Sequence, residues 1–226
     1  MPHADLRLQL QPHHALRADA PASRRAARVE LDAPLGAGVP SARDRSRLAV
    51  RLTETGRQLV TLGRTLAPAQ WTARPAAGGW NAVEVVEHLA LAEWSVLAFV
   101  RDALSGGDRA AGPLPAAAVG REAPLPRLTD DALWHRVAGR RVRLHAPERL
   151  RPTGRWARPA AQLAAFQAER AATLAYLRTT TDPLRAVFAP HPNFGLLDGC
   201  QWLLYLAAHT ERHLGQLAHL ARAAAA

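Results

Sequence analysis

Four long segments of the sequence carry apolar residues every three or four positions, and this spacing constrains the fold more than any other feature. In the first segment, Leu48, Leu52 and Leu59 fall on one face of a helix that we predict over residues 42–66. An apolar helix face must be buried against another element, and the sequence shows no strand pattern. The prediction is therefore an all-α protein with a four-helix bundle.

Residues that favour helix starts mark the other three helices. Asn81 and Glu84 form the pattern of a capping box at the start of the second helix. Pro159, a favoured first helical residue, begins the third. The fourth begins near Asp198, with Gln201 three residues later.

The second and third helices are joined by a long connection over residues 107–158. A short helix carrying Leu133 and Val137 is predicted inside it. Residues 136–158 hold eight arginines and one acid, Glu148. A connection of this length is a crossover rather than a tight turn.

Residues 1–41 are rich in Ala, Arg, Pro and His and show no apolar period, so we predict a disordered N-terminal tail. The bundle domain then spans residues 42–226. The only cysteine, Cys200, excludes an intramolecular disulfide and fits a reducing compartment. No run of about 18 apolar residues is present. We therefore expect a cytoplasmic protein that does not span a membrane.

The net charge is +10, and every basic residue other than histidine is an arginine. Such a charge suggests nucleic acid as a binding partner. The arginines of 136–158 are mixed with proline, however, and no known DNA-binding motif accompanies them. Nucleic-acid binding is thus the weaker alternative.

Three histidines fall on inward-facing helix stripes: His88 on the second helix, and His209 and His213 on the fourth. The last two are four residues apart, so their rings share one face, about 6 Å apart along the axis. With a third imidazole from a facing helix, they form the ligand set of a metal site with an open position. Core histidines without a metal are the alternative. Imidazole suits Zn, Ni and Fe, so the metal identity stays open.

Several other residues are weaker candidates. Arg170 lies on the stripe of the third helix, where it would reach an anionic ligand or a group that supports a metal ligand. The alternatives are that the helix phase is off by one residue, or that the side-chain stem packs while the head extends to water. Gln216 and Tyr205 lie within a turn of the paired histidines, as a pocket residue and a proton donor respectively. Trp94 and Trp202 are expected in the core.

Two segments give the chain a family resemblance. Residues 79–89 (GWNAVEVVEHL) and 209–217 (HTERHLGQL) resemble the DinB-like superfamily, in particular its branch of metal-dependent hydrolases. Residues 146–150 and 190–195 are similar to that branch as well. The resemblance covers about residues 44–224.

This resemblance implies a four-helix bundle, often a homodimer, that binds a divalent metal through three histidines. These correspond to His88, His209 and His213. Some relatives transfer low-molecular-weight thiols such as bacillithiol or mycothiol. The expected function is an enzyme acting on a small molecule, either a hydrolase using metal-bound water or a thiol S-transferase with the thiol as cosubstrate. A metal-binding bundle without catalysis is the alternative.

Overall fold

The computed structural model describes residues 38–75, 78–104, 127–139, 144–156 and 158–223. Most of the predicted tail, which includes two adjacent histidines at His13 and His14, lies outside these residues, as does part of the crossover. The long helices are α1 (Ala42–Thr65), α3 (Ala82–Leu104), α5 (Pro159–Thr179) and α6 (Gly199–Ala223). The shorter elements are α2 (Pro68–Thr72), α4 (Asp130–Ala138) and a 3-10 turn (Glu148–Leu150). The predicted long helices and the short crossover helix are confirmed.

The four long helices form the bundle by pairwise packing. Helices α1 and α3 each pack against both α5 and α6. Leu52, Phe166 and Leu203, from three of these helices, are fully buried. The crossover helix α4 packs on α6 and buries Leu133 and Val137. No helix in the described residues is long and apolar enough to cross a membrane.

A β-hairpin precedes α6, so the prediction that the chain has no strand is wrong. Strands β1 (Phe188–His191) and β2 (Gly195–Asp198) pair antiparallel, with Phe188 opposite Asp198 and His191 opposite Gly195. The strands are too short to show a two-residue period, and Pro190 weakens the strand pattern. Gly195 has a φ of +79°, a left-handed conformation that favours glycine where the turn re-enters the strand.

Three helix starts are held together by Arg185. Its guanidinium contacts the carboxylates of Asp44 in α1, Asp130 in α4 and Asp198 at the start of α6. Burial raises the pKa of Asp44 and of Asp130, but hydrogen bonds led by Ser41 and Arg185 respectively outweigh it and leave both pKa values lowered. For the more buried Asp198, burial prevails and its pKa is raised.

The centre of the bundle contains a buried ion pair. Arg170 and Glu93 are 4% and 1% exposed, and their charged atoms are 2.6 Å apart. The same guanidinium donates to Thr55 of α1 at 3.1 Å and to Thr210 of α6 at 2.8 Å. Arg170 therefore links all four helices, and its buried head does not extend to water. Its bond to Thr210 places it next to the predicted ligand His209.

The two tryptophans expected in the core differ in their burial. Trp202 is fully buried, whereas Trp94 is 57% exposed on the outer face of α3. The expectation for Trp94 is wrong because α3 buries almost its entire circumference, so its sequence does not show which narrow face meets solvent.

Candidate metal centre

Helices α3 and α6 bring the three predicted histidines together. The Nε2 atom of His209 lies 3.2 Å from Nε2 of His88 and 3.1 Å from Nε2 of His213. Ligand atoms of all three residues lie within 4.8 Å of one another. Nitrogens around a tetrahedral zinc ion, at about 2.05 Å from the metal, stand roughly 3.3 Å apart. The two distances to His209 are close to that value.

Hydrogen bonds set the tautomers of two of the rings. Nδ1–H of His88 donates to the carbonyl oxygen of Leu150 at 2.9 Å. Nδ1–H of His213 donates to Oε1 of Gln216 at 3.0 Å. A neutral imidazole carries only one ring proton, so both Nε2 atoms present a lone pair to the cluster. Partners of this kind commonly orient metal-ligating histidines.

His209 completes the set, and no placement of its proton satisfies the cluster without a cation. A proton on Nε2 of His209 can be donated to only one of the two neighbouring Nε2 atoms. A proton on Nδ1 is itself unpaired, because that buried atom has no hydrogen-bond partner among the described residues. In that case three lone pairs converge on one point. A metal ion bound there removes this conflict, so the donor set fits a metal.

Burial keeps the imidazoles of His88 and His209 neutral. It lowers the pKa of His88, against the smaller opposite effect of the Leu150 carbonyl. Burial together with the neighbouring rings of His213 and His88 lowers the pKa of His209 well below its ordinary value. The neutral ring is the form that binds a metal.

A buried carboxylate holds the crossover segment against the cluster. Glu87, adjacent to His88 and 1% exposed, accepts hydrogen bonds from the backbone N–H groups of Thr153, Gly154 and Arg155 at 2.9, 3.0 and 3.2 Å. The Thr153 hydroxyl adds a fourth bond at 3.2 Å. These contacts hold the segment that supplies the Leu150 carbonyl. We call them the Glu87 clamp.

Aromatic rings surround the cluster. Trp80 lies 4.8 Å from His88, measured between ring centroids. Tyr205 stacks on His209 at 5.2 Å with only 13° between the ring planes. His191 lies 4.8 Å from Tyr205. The centre is thus walled by aromatic side chains from the start of α3, from α6 and from the hairpin.

The structure distinguishes the weaker candidate residues by whether they contact the three histidines. Gln216 and Tyr205 both contact ligand histidines, the first by a hydrogen bond and the second by stacking. Arg170 reaches the centre only indirectly, through the hydroxyl of Thr210, the residue after His209. Glu84 caps α3, as its sequence position predicts.

A separate open groove of about 550 Å³ lies between α1, α4 and α6, and none of the three histidines lines it. Glu211 faces this groove rather than the cluster. Its lining combines acidic and basic side chains, among them Arg51, Glu54 and Arg212.

The sequence interpretation missed Glu87, Leu150, Trp80 and His191 as parts of the site. The carbonyl of Leu150 carries no residue-type signal. Glu87 lies next to the predicted ligand His88, and His191 lies in a segment that resembles the metal-dependent hydrolase branch. Their positions in the sequence were therefore the only signals that they could belong to the site.

The fold and this centre define a class: helical-bundle proteins in which three histidines from two helices form a cluster that fits a divalent metal. The chain belongs to the DinB superfamily, whose family model matches residues 51–217. A solved structure, YfiT from Bacillus subtilis, reported as a probable metal-dependent hydrolase with an unusual four-helix bundle topology, has the same fold. The TM-score is 0.53 at 20% identity, covering 82% of this chain and 90% of that one. The search of curated proteins gave no match.

Proposed function

We propose that the chain is a metal-dependent hydrolase whose divalent ion is held by His88, His209 and His213. The convergence of three Nε2 atoms with Nδ1–H of two rings bonded away is the observation that carries this proposal. Three protein ligands leave a coordination position for water or substrate. A metal in such a site activates water and polarises a substrate carbonyl.

The protein's own residues supply orientation and shielding. Gln216 and the Leu150 carbonyl hold two of the imidazoles with Nε2 facing inward. Stacking of Tyr205 covers one face of His209. The aromatic wall limits the access of bulk water, which strengthens electrostatic interactions inside the centre.

Transfer of an anionic low-molecular-weight thiol is the second candidate. Arg149 and Arg151 flank Leu150, are exposed, and form no salt bridge within the described residues. Partial desolvation of its guanidinium lowers the pKa of Arg149. Unpaired guanidinium groups so close to the centre suit the carboxylates of a thiol cosubstrate.

Elemental analysis of the tag-free protein tests metal binding. We expect about one metal ion per chain in the parent and none in a folded variant with His88→Ala, His209→Ala and His213→Ala. The control is His219→Ala, which removes an exposed histidine from the same helix and should leave the metal content unchanged. A parent that stays metal-free after incubation with Zn²⁺, Ni²⁺ and Fe²⁺ would refute the proposal.

Activity assays of the loaded protein separate the remaining possibilities. Turnover of ester or amide substrates supports the hydrolase. Turnover that requires an added thiol and an electrophile, and that weakens in Arg149→Ala, supports the transferase. One bound metal without turnover in either assay supports a metal-binding bundle.

A further inference from the structure

Tyr205 carries a hydroxyl group that the protein does not use. Its ring stacks on His209, yet its hydroxyl forms no hydrogen bond with any described residue. The phenol O–H is therefore available as a donor beside a candidate metal ligand.

His191 presents a second free donor next to it. This side chain is 4% exposed, and its Nδ1 accepts the backbone N–H of Asn193 at 3.1 Å. Burial lowers the pKa of His191 to about 3, so the ring is neutral. With Nδ1 acting as an acceptor, the single ring proton is on Nε2. That Nε2–H donates to no described residue.

The hairpin brings the two rings together. His191 ends β1, and its ring packs between Phe194 of the turn and Trp202 and Tyr205 of α6. The His191 and Tyr205 ring centroids are 4.8 Å apart. Ring packing alone does not require the hydroxyl of Tyr205 or the Nε2–H of His191. Neither donor atom belongs to the fully buried polar atoms that lack a partner among the described residues, so both can be reached by a ligand beside the candidate centre.

We propose that the Tyr205 hydroxyl and the His191 Nε2–H form a two-donor subsite beside the metal centre that binds an oxygen of the substrate. Both groups are donors, so the bound oxygen is an acceptor, and we assign it to the carboxylate or acyl carbonyl of a substrate that the proposed hydrolase would act on. The inference rests on the proposed metal site and adds the substrate's chemical class to it. Because neither group is a metal ligand, both can be changed without removing an imidazole from the cluster.

Acetate binding to the Co²⁺-loaded protein provides the test. Acetate is the simplest carboxylate, and Co²⁺ bound by imidazoles reports ligand binding through its visible spectrum. Tyr205→Phe removes only the hydroxyl and keeps the stacked ring. His191→Asn keeps an oxygen acceptor for the Asn193 N–H and removes the donor. Tyr176→Phe is the matched control, because it removes the chain's other tyrosine hydroxyl, which bonds Asp182 away from the cluster.

We expect Tyr205→Phe and His191→Asn each to raise the acetate Kd about tenfold or more, the loss typical of a hydrogen bond to a charged group. Co²⁺ stoichiometry should stay at one per chain, and Tyr176→Phe should leave the acetate Kd unchanged. Normal Co²⁺ binding with an unchanged acetate Kd in both variants overturns the subsite alone. Failure of the parent to bind Co²⁺ overturns the metal site and the subsite together.

Discussion

The Glu87 clamp links the fold of the crossover to metal affinity, and Glu87→Gln tests that link. Oε1 of Glu87 accepts three hydrogen bonds, from the backbone and hydroxyl of Thr153 and from the backbone of Arg155. Oε2 accepts the remaining one, from Gly154. Glutamine has nearly the same shape but only one oxygen and no charge, so it can satisfy only one side of this arrangement.

The structure indicates how much is lost. If the amide oxygen replaces Oε1, the amide N–H₂ of the new residue meets the Gly154 N–H, two donors face to face. One bond to a charged group is lost, worth about 1.5–3 kcal/mol, and the other three become neutral and weaker. The segment carrying Leu150 then loosens, and with it the carbonyl that orients His88. Loss of such an outer partner typically costs about 10–100-fold in metal affinity.

Competition with a chromophoric chelator measures the Zn²⁺ affinity, and circular dichroism checks that the variant is folded. Glu84→Gln is the control, since it alters a carboxylate one turn earlier on α3 that caps the helix and does not contact the crossover. We expect the Zn²⁺ Kd to rise about 10–100-fold in Glu87→Gln and to stay unchanged in Glu84→Gln. Equal Zn²⁺ affinity of folded Glu87→Gln and the parent would refute the reasoning, as would an equal loss in both variants.

Three further predictions concern stability. Arg170→Met should lower the free energy of unfolding by about 3–5 kcal/mol, because it leaves Glu93 buried and unpaired. Urea melts of the double variant Arg170→Met, Glu93→Leu should show that much of this loss is recovered. The lowered pKa values of Asp44 and Asp130 give stability that is present above the unfolded value near 3.9 and is lost as the pH falls through their folded values. Acid melts should therefore show this loss below about pH 4, and Arg185→Gln should reduce it, whereas an unchanged acid profile in that variant would contradict the assignment. Free metal at about 1,000 times its Kd contributes about 4 kcal/mol of stability, so removing it with a chelator should lower the melting temperature by about 10 °C. The triple histidine variant should show no change in melting temperature on chelation.

The helices and the ligand set could be predicted because their signals are local. The periodicity of α1 and the capping pairs that begin α3 and α6 act within a few residues of the chain. The four-residue spacing of His209 and His213 places both rings on one face by helix geometry alone. His88 follows from its own inward-facing stripe on α3.

The partners of those ligands could not be predicted in the same way. A buried arginine on a helix stripe suggests a ligand or the surface, and only the packed bundle shows Glu93 and Thr210 closing around Arg170. The hairpin was missed because its four-residue strands are too short to carry a period, and its position against α6 comes from tertiary contacts.

The sequence by itself therefore determined the helices, their caps and which histidines face inward, because these depend on backbone periodicity and side-chain spacing along one element. Tertiary structure decided what surrounds the histidines. The carbonyl of Leu150 lies 62 residues from His88 along the chain, and the rings of His191 and Tyr205 come from different elements. Such contacts form only when separate elements pack, and packing depends on shape and burial over the whole bundle rather than on any local pattern.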